Sequence, residues 1–367
     1  MKIYLAYEDF FGGAICFLEA CPLMFNSNQR RTQEFFTLSV IRKQGFSERG
    51  WVGIVKTYFA SRYSQPTRND RGVMTTANLT RDGPQTETYI DALCFPSLVD
   101  GLQQKSISFC AVSILFSITA LLGNSLILIA LHKESSLHLP SKLLYRCLAT
   151  TDLLVGLVGQ PLDATYWKSF ANEGWNLCRF ALDAKFIIGT VLCSVSLLSM
   201  TAISLDRLLA LLLGLRYRQI VTLKRTYVIV AIFWVLSGVA GLCFILDYRI
   251  TLWYWYIIIP SCIVMSIASY TKIFRTLAHH QAQIQDSVQQ QPSQANQLNI
   301  ARYKKAVNSA VWVQLALVVC YAPYLLVDIT LAYIKTYSLH LVVIRGIAVI
   351  LVYVNSTLNP FLFCWKI

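Results

Sequence analysis

An all-α membrane protein, a bundle of seven transmembrane helices with its N-terminus extracellular, is the fold the sequence predicts. Three observations lead there. Only 14% of the 367 residues are charged and 55% are hydrophobic, whereas a soluble domain carries about 25% charged residues. Seven apolar stretches follow residue 106, each reaching the roughly 20 residues that a helix needs to cross a bilayer. The basic residues between them gather on alternate loops.

The stretches run over about 107–132, 141–164, 179–211, 226–246, 252–277, 303–328 and 340–364. The third is the longest and the least hydrophobic at its start, which fits a tilted span. Most connections are short. Between the fifth and sixth, the Gln-rich stretch 279–300 reads as a flexible loop. One set of loops carries Lys133, Lys142 and Arg146, then Arg216, Arg218, Lys224 and Arg225, then Lys272, Arg275, Arg302, Lys304 and Lys305. The opposite loops mix Lys168, Arg249, Lys335 and Arg345 with Asp163, Glu173, Asp247 and Asp328. The first set is therefore predicted to face the cytoplasm. The net charge of +13 follows from this one-sided distribution and needs no nucleic-acid partner.

Ahead of the bundle, residues 1–73 form an irregular leader. It opens like a signal peptide, but Glu8 and Asp9 interrupt the apolar core. The character changes at Met74, so the native chain is expected to begin there, with 74–106 as an extracellular tail and 107–367 as the membrane domain. That tail carries the sequon Asn78-Leu79-Thr80, a predicted glycosylation site. The eleven cysteines include no C-x-x-C pair and share no metal-ligand spacing with the five histidines. Most lie in apolar runs as small hydrophobes.

Ionisable or amide groups inside spans are costly and point to function. Asn124 lies in the first stretch, Asp152 in the second, Ser196 in the third, and Asn355, Ser356 and Asn359 in the seventh, all near mid-depth. One carboxylate among amides and hydroxyls suits a small cation or a proton. The competing reading is that these groups only knit helices together, and for Asn124 alone that reading is preferred.

The order "GNSLIL", "LATTDLL", "SMTAISLDRLLAL", "LRYRQIVT", Trp234, "CYAPY" and "NSTLNPFLF" resembles the class A, rhodopsin-like G-protein-coupled receptors over about residues 107–367. The resemblance implies a plasma-membrane receptor in which an extracellular ligand acts on a heterotrimeric G protein. It implies a sodium pocket at Asp152, Ser196, Asn355 and Asn359 braced by Asn124, with sodium favouring the resting state. Asp206 and Arg207 resemble the switch pair, the carboxylate restraining the guanidinium at rest. Leu215 resembles the hydrophobic knob that packs on the G protein. Pro323 and Pro360 are implied hinges, and Cys320 with Tyr321 the toggle. Beyond a possible sodium ion, no cofactor is implied.

Several positions depart from the family pattern. Leu208 replaces a tyrosine after the switch pair, Tyr321 the toggle tryptophan, and Phe363 the tyrosine that ends the seventh-helix motif. The start of the sixth stretch, "ARYKKA", has no acid to lock Arg207. These features motivate an expectation of elevated basal signalling. Pro260 and Tyr270 are spaced two residues wider than usual. Cys178 resembles the cysteine that bridges to the second extracellular loop, but "DYRITLWYWY" offers no partner. Cys94 is the alternative. The chain stops at Trp365-Lys366-Ile367, where the family continues, and Asn355-Ser356-Thr357 is a sequon expected to stay unmodified inside the bilayer.

For the ligand, the amine-receptor aspartate is absent, its place lying near Gly189, and the seventh stretch has no Schiff-base lysine. A monoamine and retinal are therefore disfavoured. The short second loop without cysteine resembles the melanocortin, lipid and cannabinoid branch. Asp163, Asp183, Lys185 and Asp328 mark the outer mouth. Asp163 and Asp183 either hold a cationic ligand or divalent ion together, or are solvated rim charges. No Ser-His-Asp grouping, HExxH or phosphate loop suggests an enzyme. The alternatives carried are a transporter using Asp152 as a proton or ion carrier, and a receptor-like membrane protein that does not signal.

Overall fold

The computed structural model describes residues 93–94, 99–134, 137–172, 174–288, 315–331 and 339–364. These residues form helices, and no strand occurs among them. The first span is α1 (Val99–Lys133). The second is α2 (Leu139–Leu154), a π-turn (Val155–Gly159) and α3 (Gln160–Ala171). The third is α4 (Trp175–Leu213), followed by a 3-10 turn (Gly214–Arg216) and the short α5 (Tyr217–Ile220). Then come α6 (Leu223–Leu246), α7 (Tyr248–Val288), α8 (Leu315–Leu331) and α9 (Leu339–Cys364). Calls on residues 1–73, on Asn78 and on the "ARYKKA" run fall outside the described residues.

Five of these helices are long and apolar enough to cross a membrane. Their outward faces carry Leu122, Leu126, Val235, Trp253 and Val264, each more than half exposed, which is the pattern of a lipid-facing surface. α4 differs: 72% of its apolar window is buried, against 22% for α6. At 39 residues, α4 is about 58 Å long at 1.5 Å per residue, far more than the ~30 Å hydrocarbon core. It is the central, inclined post of the bundle, against which α2, α3, α6 and α7 all pack.

The second span is not one continuous α-helix. Pro161 has no amide hydrogen to donate back into the preceding turn, and the π-turn "VGLVG" comes just before it. Ser117 of α1 donates to the Gly156 carbonyl at 2.6 Å, crossing to the second span at the π-turn. The extra residue of a π-turn rotates everything after it, and Asp163 is carried into the bundle interior at 0% exposure.

One boundary differs from the sequence reading. α7 continues to Val288, so 279–288 are helical rather than the start of a flexible loop. "HHQAQIQDSV" contains neither glycine nor proline, and Gln and Ala are good helix formers. The first proline after it is Pro292.

Two close approaches fix the packing of the last helix. A Cβ on Gly123 would sit 2.5 Å from Cγ of Pro360, so only glycine lets α1 meet the proline of α9. A Cβ on Gly346 would sit 2.6 Å from the Trp167 ring. Near that ring a disulfide joins Cys94 to Cys178, whose Cα atoms are 6.0 Å apart, close to the usual separation for a bridge. This is the partner that the cysteine-free second loop left to the tail.

Candidate functional site

At mid-bundle, the Asp152 carboxylate is fully buried between three helices. Ser196 of α4 donates to one oxygen at 2.8 Å and Asn359 of α9 to the other at 2.6 Å. Asn124 of α1 donates to the Ala120 carbonyl at 2.9 Å and to the Ser356 carbonyl at 3.0 Å, tying α1 to α9. Asn355 donates to the Met200 sulfur at 3.3 Å. The structure thus brings Asp152, Ser196 and Asn359 into direct contact, while Asn355 and Asn124 flank them.

The donor set suits a hard cation. The side-chain oxygens of Asn355 and Asn124 are buried and lack a hydrogen-bond partner, and each carboxylate oxygen of Asp152 keeps accepting capacity beyond its one bond. Oxygen-only sets of this kind favour ions such as sodium over transition metals. Among the described residues no group of three His, Cys, Asp or Glu side chains could hold a metal.

At one end of α4, Asp206 and Arg207 lie side by side in sequence but not in contact. Asp206 accepts from Ser141 at 2.7 Å and from the Tyr217 hydroxyl at 2.6 Å. Arg207 donates instead to the Tyr145 hydroxyl, its guanidinium 5.8 Å from that ring's centre. No ion pair joins Asp206 to Arg207 among the described residues, which corrects the expected restraint. Neighbours in a helix point about 100° apart, so each reaches a different partner. Tyr217 lies in the loop beyond the span. Burial, and its bond to the Asp206 carboxylate, push its phenol up to about 12, so it remains a donor at neutral pH.

Tyr270 belongs to this cluster too, its hydroxyl accepting from Ser204 at 3.2 Å. The wide spacing from Pro260 therefore does not keep Tyr270 from the Arg207 end. Tyr145, Ser141 and Tyr217 were not singled out from sequence. Tyr217 was within reach, as the tyrosine of "LRYRQIVT", but nothing local assigns its partner. Leu215 lies in the 3-10 turn after α4, and its side chain is outside the description, as is that of Phe363 near the end of α9. Tyr321 is buried and donates to the Cys193 carbonyl at 3.3 Å, while Cys320 is buried beside it and Pro323 follows within α8.

Toward the other end, the mouth charges are neither solvated nor a joint cation site. Asp163 is paired with Lys185 and accepts from Ser113 at 2.7 Å. Asp328 accepts from Arg345 Nε at 3.1 Å. Asp183 is fully buried. The reading of Asp163 with Asp183 as a cation clamp fails because Lys185 already neutralises Asp163. Between these pairs lies a small cavity that is partly open to solvent. Lys185 and Arg345 line it; Asp163, Asp183 and Asp328 do not.

Residues 123–251 match the family model described as "7 transmembrane receptor (rhodopsin family)". Over those residues the chain is similar to that family. Curated relatives include the adenosine receptor A2b of Rattus norvegicus, 33% identical over 141 residues, or 38% of this chain and 41% of that one. The 5-hydroxytryptamine receptor 1B of Felis catus is 29% identical over 176 residues, covering 47% of this chain and 42% of that receptor. Dopamine receptor 2 of Drosophila melanogaster is 31% identical over 146 residues, covering 38% and 26%. The chain spans about two fifths of the length of the adenosine receptors it matches. The matched receptor segment contains Asn124, Asp152, Ser196 and the Asp206-Arg207 pair, and α1 through α6 lie wholly or partly within it.

Proposed function

We propose that this receptor-family chain sits in the plasma membrane and couples an external small-molecule ligand to a heterotrimeric G protein. In this reading the Arg207 end faces the cytoplasm. The basic loops after α4 and α7 support that orientation, and so does the Cys94–Cys178 bridge at the opposite end, since disulfides persist on the oxidising side. The names of the relatives, adenosine, 5-hydroxytryptamine and dopamine receptors, support a small molecule in the cavity.

The observation that carries the proposal is the state of Arg207. It is held by a neutral phenol, not by the carboxylate beside it. Releasing a guanidinium from a hydrogen bond to a neutral hydroxyl costs about 1.5–3 kcal/mol net. Breaking a buried ion pair costs about 3–5 kcal/mol. A guanidinium so held can turn to a partner readily, which is what a switch residue must do. Sodium at Asp152 would favour the resting arrangement by bridging the second, third and seventh spans.

The test is second-messenger output in cells expressing the chain, across the main G-protein classes, beside cells expressing Arg207→Ala at equal surface level. Basal output above empty cells that disappears in the variant supports the proposal. Equal output from both, or from neither in every class, overturns it.

A further inference from the structure

The second span meets both members of the Asp206-Arg207 pair, each through a different side chain. Ser141 and Tyr145 lie four residues apart on α2, so they share one face of it. That face packs on α4: Ser141 donates to Asp206 at 2.7 Å, and the Tyr145 hydroxyl accepts from Arg207. Pro140 stands in the first turn of α2, where a missing amide hydrogen costs nothing. Both contacts are therefore made from the opening turns of the helix.

Tyr145 suits this contact in two ways. Its ring is 5% exposed and belongs to the apolar core that also holds Leu148, Met200 and Ile203, which fixes its position. Its hydroxyl reaches from that core to the guanidinium, which stands 5.8 Å from the ring centre. No carboxylate competes for the guanidinium among the described residues. Asp206 is occupied by Ser141 and Tyr217. The sequence has no acid between Asp286 and Asp328, which covers the approach to α8 and most of that helix. A second phenol, Tyr270 of α7, lies within electrostatic reach of Arg207 and accepts from Ser204 instead.

We infer that Tyr145 is a positioning residue of the switch: its hydroxyl, supplied by the second span, holds Arg207 in the resting arrangement where no acid does, and activation breaks this bond. The inference rests on the coupling reading above and adds the side chain that sets its basal level. A hydrogen bond from a guanidinium to a neutral hydroxyl biases an equilibrium about tenfold to a hundredfold. A buried carboxylate in the same place would hold harder. Tyr145 thus gives a restraint strong enough to keep the switch at rest and weak enough to leave some output.

The experiment measures basal second-messenger output, across the main G-protein classes, from cells expressing the native chain and its variants at equal surface level. Tyr145→Phe keeps the ring beside the guanidinium and removes only the hydroxyl. With the released arrangement populated at about 1–10% in the native chain, a restraint weakened tenfold should raise output about fivefold or more. Tyr145→Phe with Arg207→Ala should be silent, because the gain passes through Arg207. Ser141→Ala with Tyr217→Phe frees the Asp206 carboxylate beside Arg207 and should leave output level or lower it, whereas general loosening of the cluster would raise it. Output from Tyr145→Phe at or below the native level while Arg207→Ala abolishes it overturns the inference. So does a rise that survives Arg207→Ala, or an equal rise in the Ser141 and Tyr217 variant. A second measurement takes unfolding midpoints in lipid nanodiscs for Tyr145→Phe, Arg207→Met and the two together. A paired hydroxyl and guanidinium make the combined loss smaller than the sum of the single losses; simple additivity overturns the inference. Silence from every chain overturns the coupling reading, and the midpoints alone then decide the inference, so the two fail separately.

Discussion

The Asp163–Lys185 pair lets the electrostatics of the bundle be tested quantitatively. Asp163 is 0% exposed and Lys185 6%. Replacing Lys185 with Met leaves a buried carboxylate with only the Ser113 hydroxyl to compensate it, and breaking such a pair from one side costs about 3–5 kcal/mol. Replacing Asp163 with Asn leaves an ammonium instead. That ammonium lies 4.5 Å from the Tyr166 ring centre and 5.9 Å from that of Trp167. A desolvated cation–π contact is worth about 2 kcal/mol, so this single variant should lose only about 1–3 kcal/mol. The double variant removes both charges, keeps an acceptor for Ser113, and should lie near the native stability. At roughly 2–4 °C per kcal/mol, Lys185→Met should lower the unfolding midpoint by about 6–20 °C and Asp163→Asn by about half as much. A thiol-reactive dye reports unfolding here, because Cys147, Cys193, Cys262 and Cys320 are buried free thiols. If the two single losses simply add in the double variant, the residues do not interact and the reasoning fails. If Asp163→Asn costs more than Lys185→Met, the aromatic compensation is wrong.

Other parts of the molecule give separate predictions. Gly123→Val should lower the midpoint by several degrees, since Pro360 on a packed helix cannot yield 1 Å without an overpacking cost of about 1–3 kcal/mol; Gly238→Val, where nothing lies within 4 Å, should be nearly silent. Sodium chloride should raise the native midpoint more than choline chloride does at equal ionic strength, and Asp152→Asn should abolish the difference. Tyr217→Phe removes one of the two bonds to Asp206 and should cost about 1 kcal/mol while changing basal second-messenger output; an unchanged output would remove this network from the switch.

Much of this architecture was legible in the sequence because bilayer crossing demands long apolar helices, and hydropathy reports them directly. The polar core was legible for a related reason. Asp152, Ser196 and Asn359 are costly at mid-depth unless they meet, so their depth alone predicts that they do. Lateral partners were not legible. Whether Asp163 faces Asp183 or Lys185 depends on rotation about the second span, and the π-turn at Val155–Gly159 sets that rotation. Its sequence, "VGLVG", has no feature that distinguishes an extra residue from an ordinary turn. Asp206 and Arg207 were read as a pair from the family resemblance, whereas here Asp206 is taken by Ser141 and Tyr217 and Arg207 by Tyr145. The helical run to Val288 was missed because a Gln-rich composition was read as disorder, although Gln and Ala both favour helix.

The three regions of interest share one structural member. Lys185 at the cavity, Ser196 at the Asp152 core and Arg207 at the switch lie on α4 at intervals of eleven residues. Eleven residues make just over three helical turns, so the three side chains stand on one stripe, each about 16 Å from the next. α4 is also the most buried span, which leaves it little freedom to move alone. A ligand bearing on Lys185 would act on the whole stripe by shifting neighbours against α4 rather than by bending it. The contacts that could report such a shift are named: Tyr321 to the Cys193 carbonyl, Asn359 to Asp152, and Tyr145 to Arg207. Each joins α4, directly or through Asp152, to another span, and each involves a polar group with discrete partners rather than a deformable apolar surface. Discrete hydrogen bonds along a rigid post, if they have a second arrangement, are the kind of element that two distant sites can bias together.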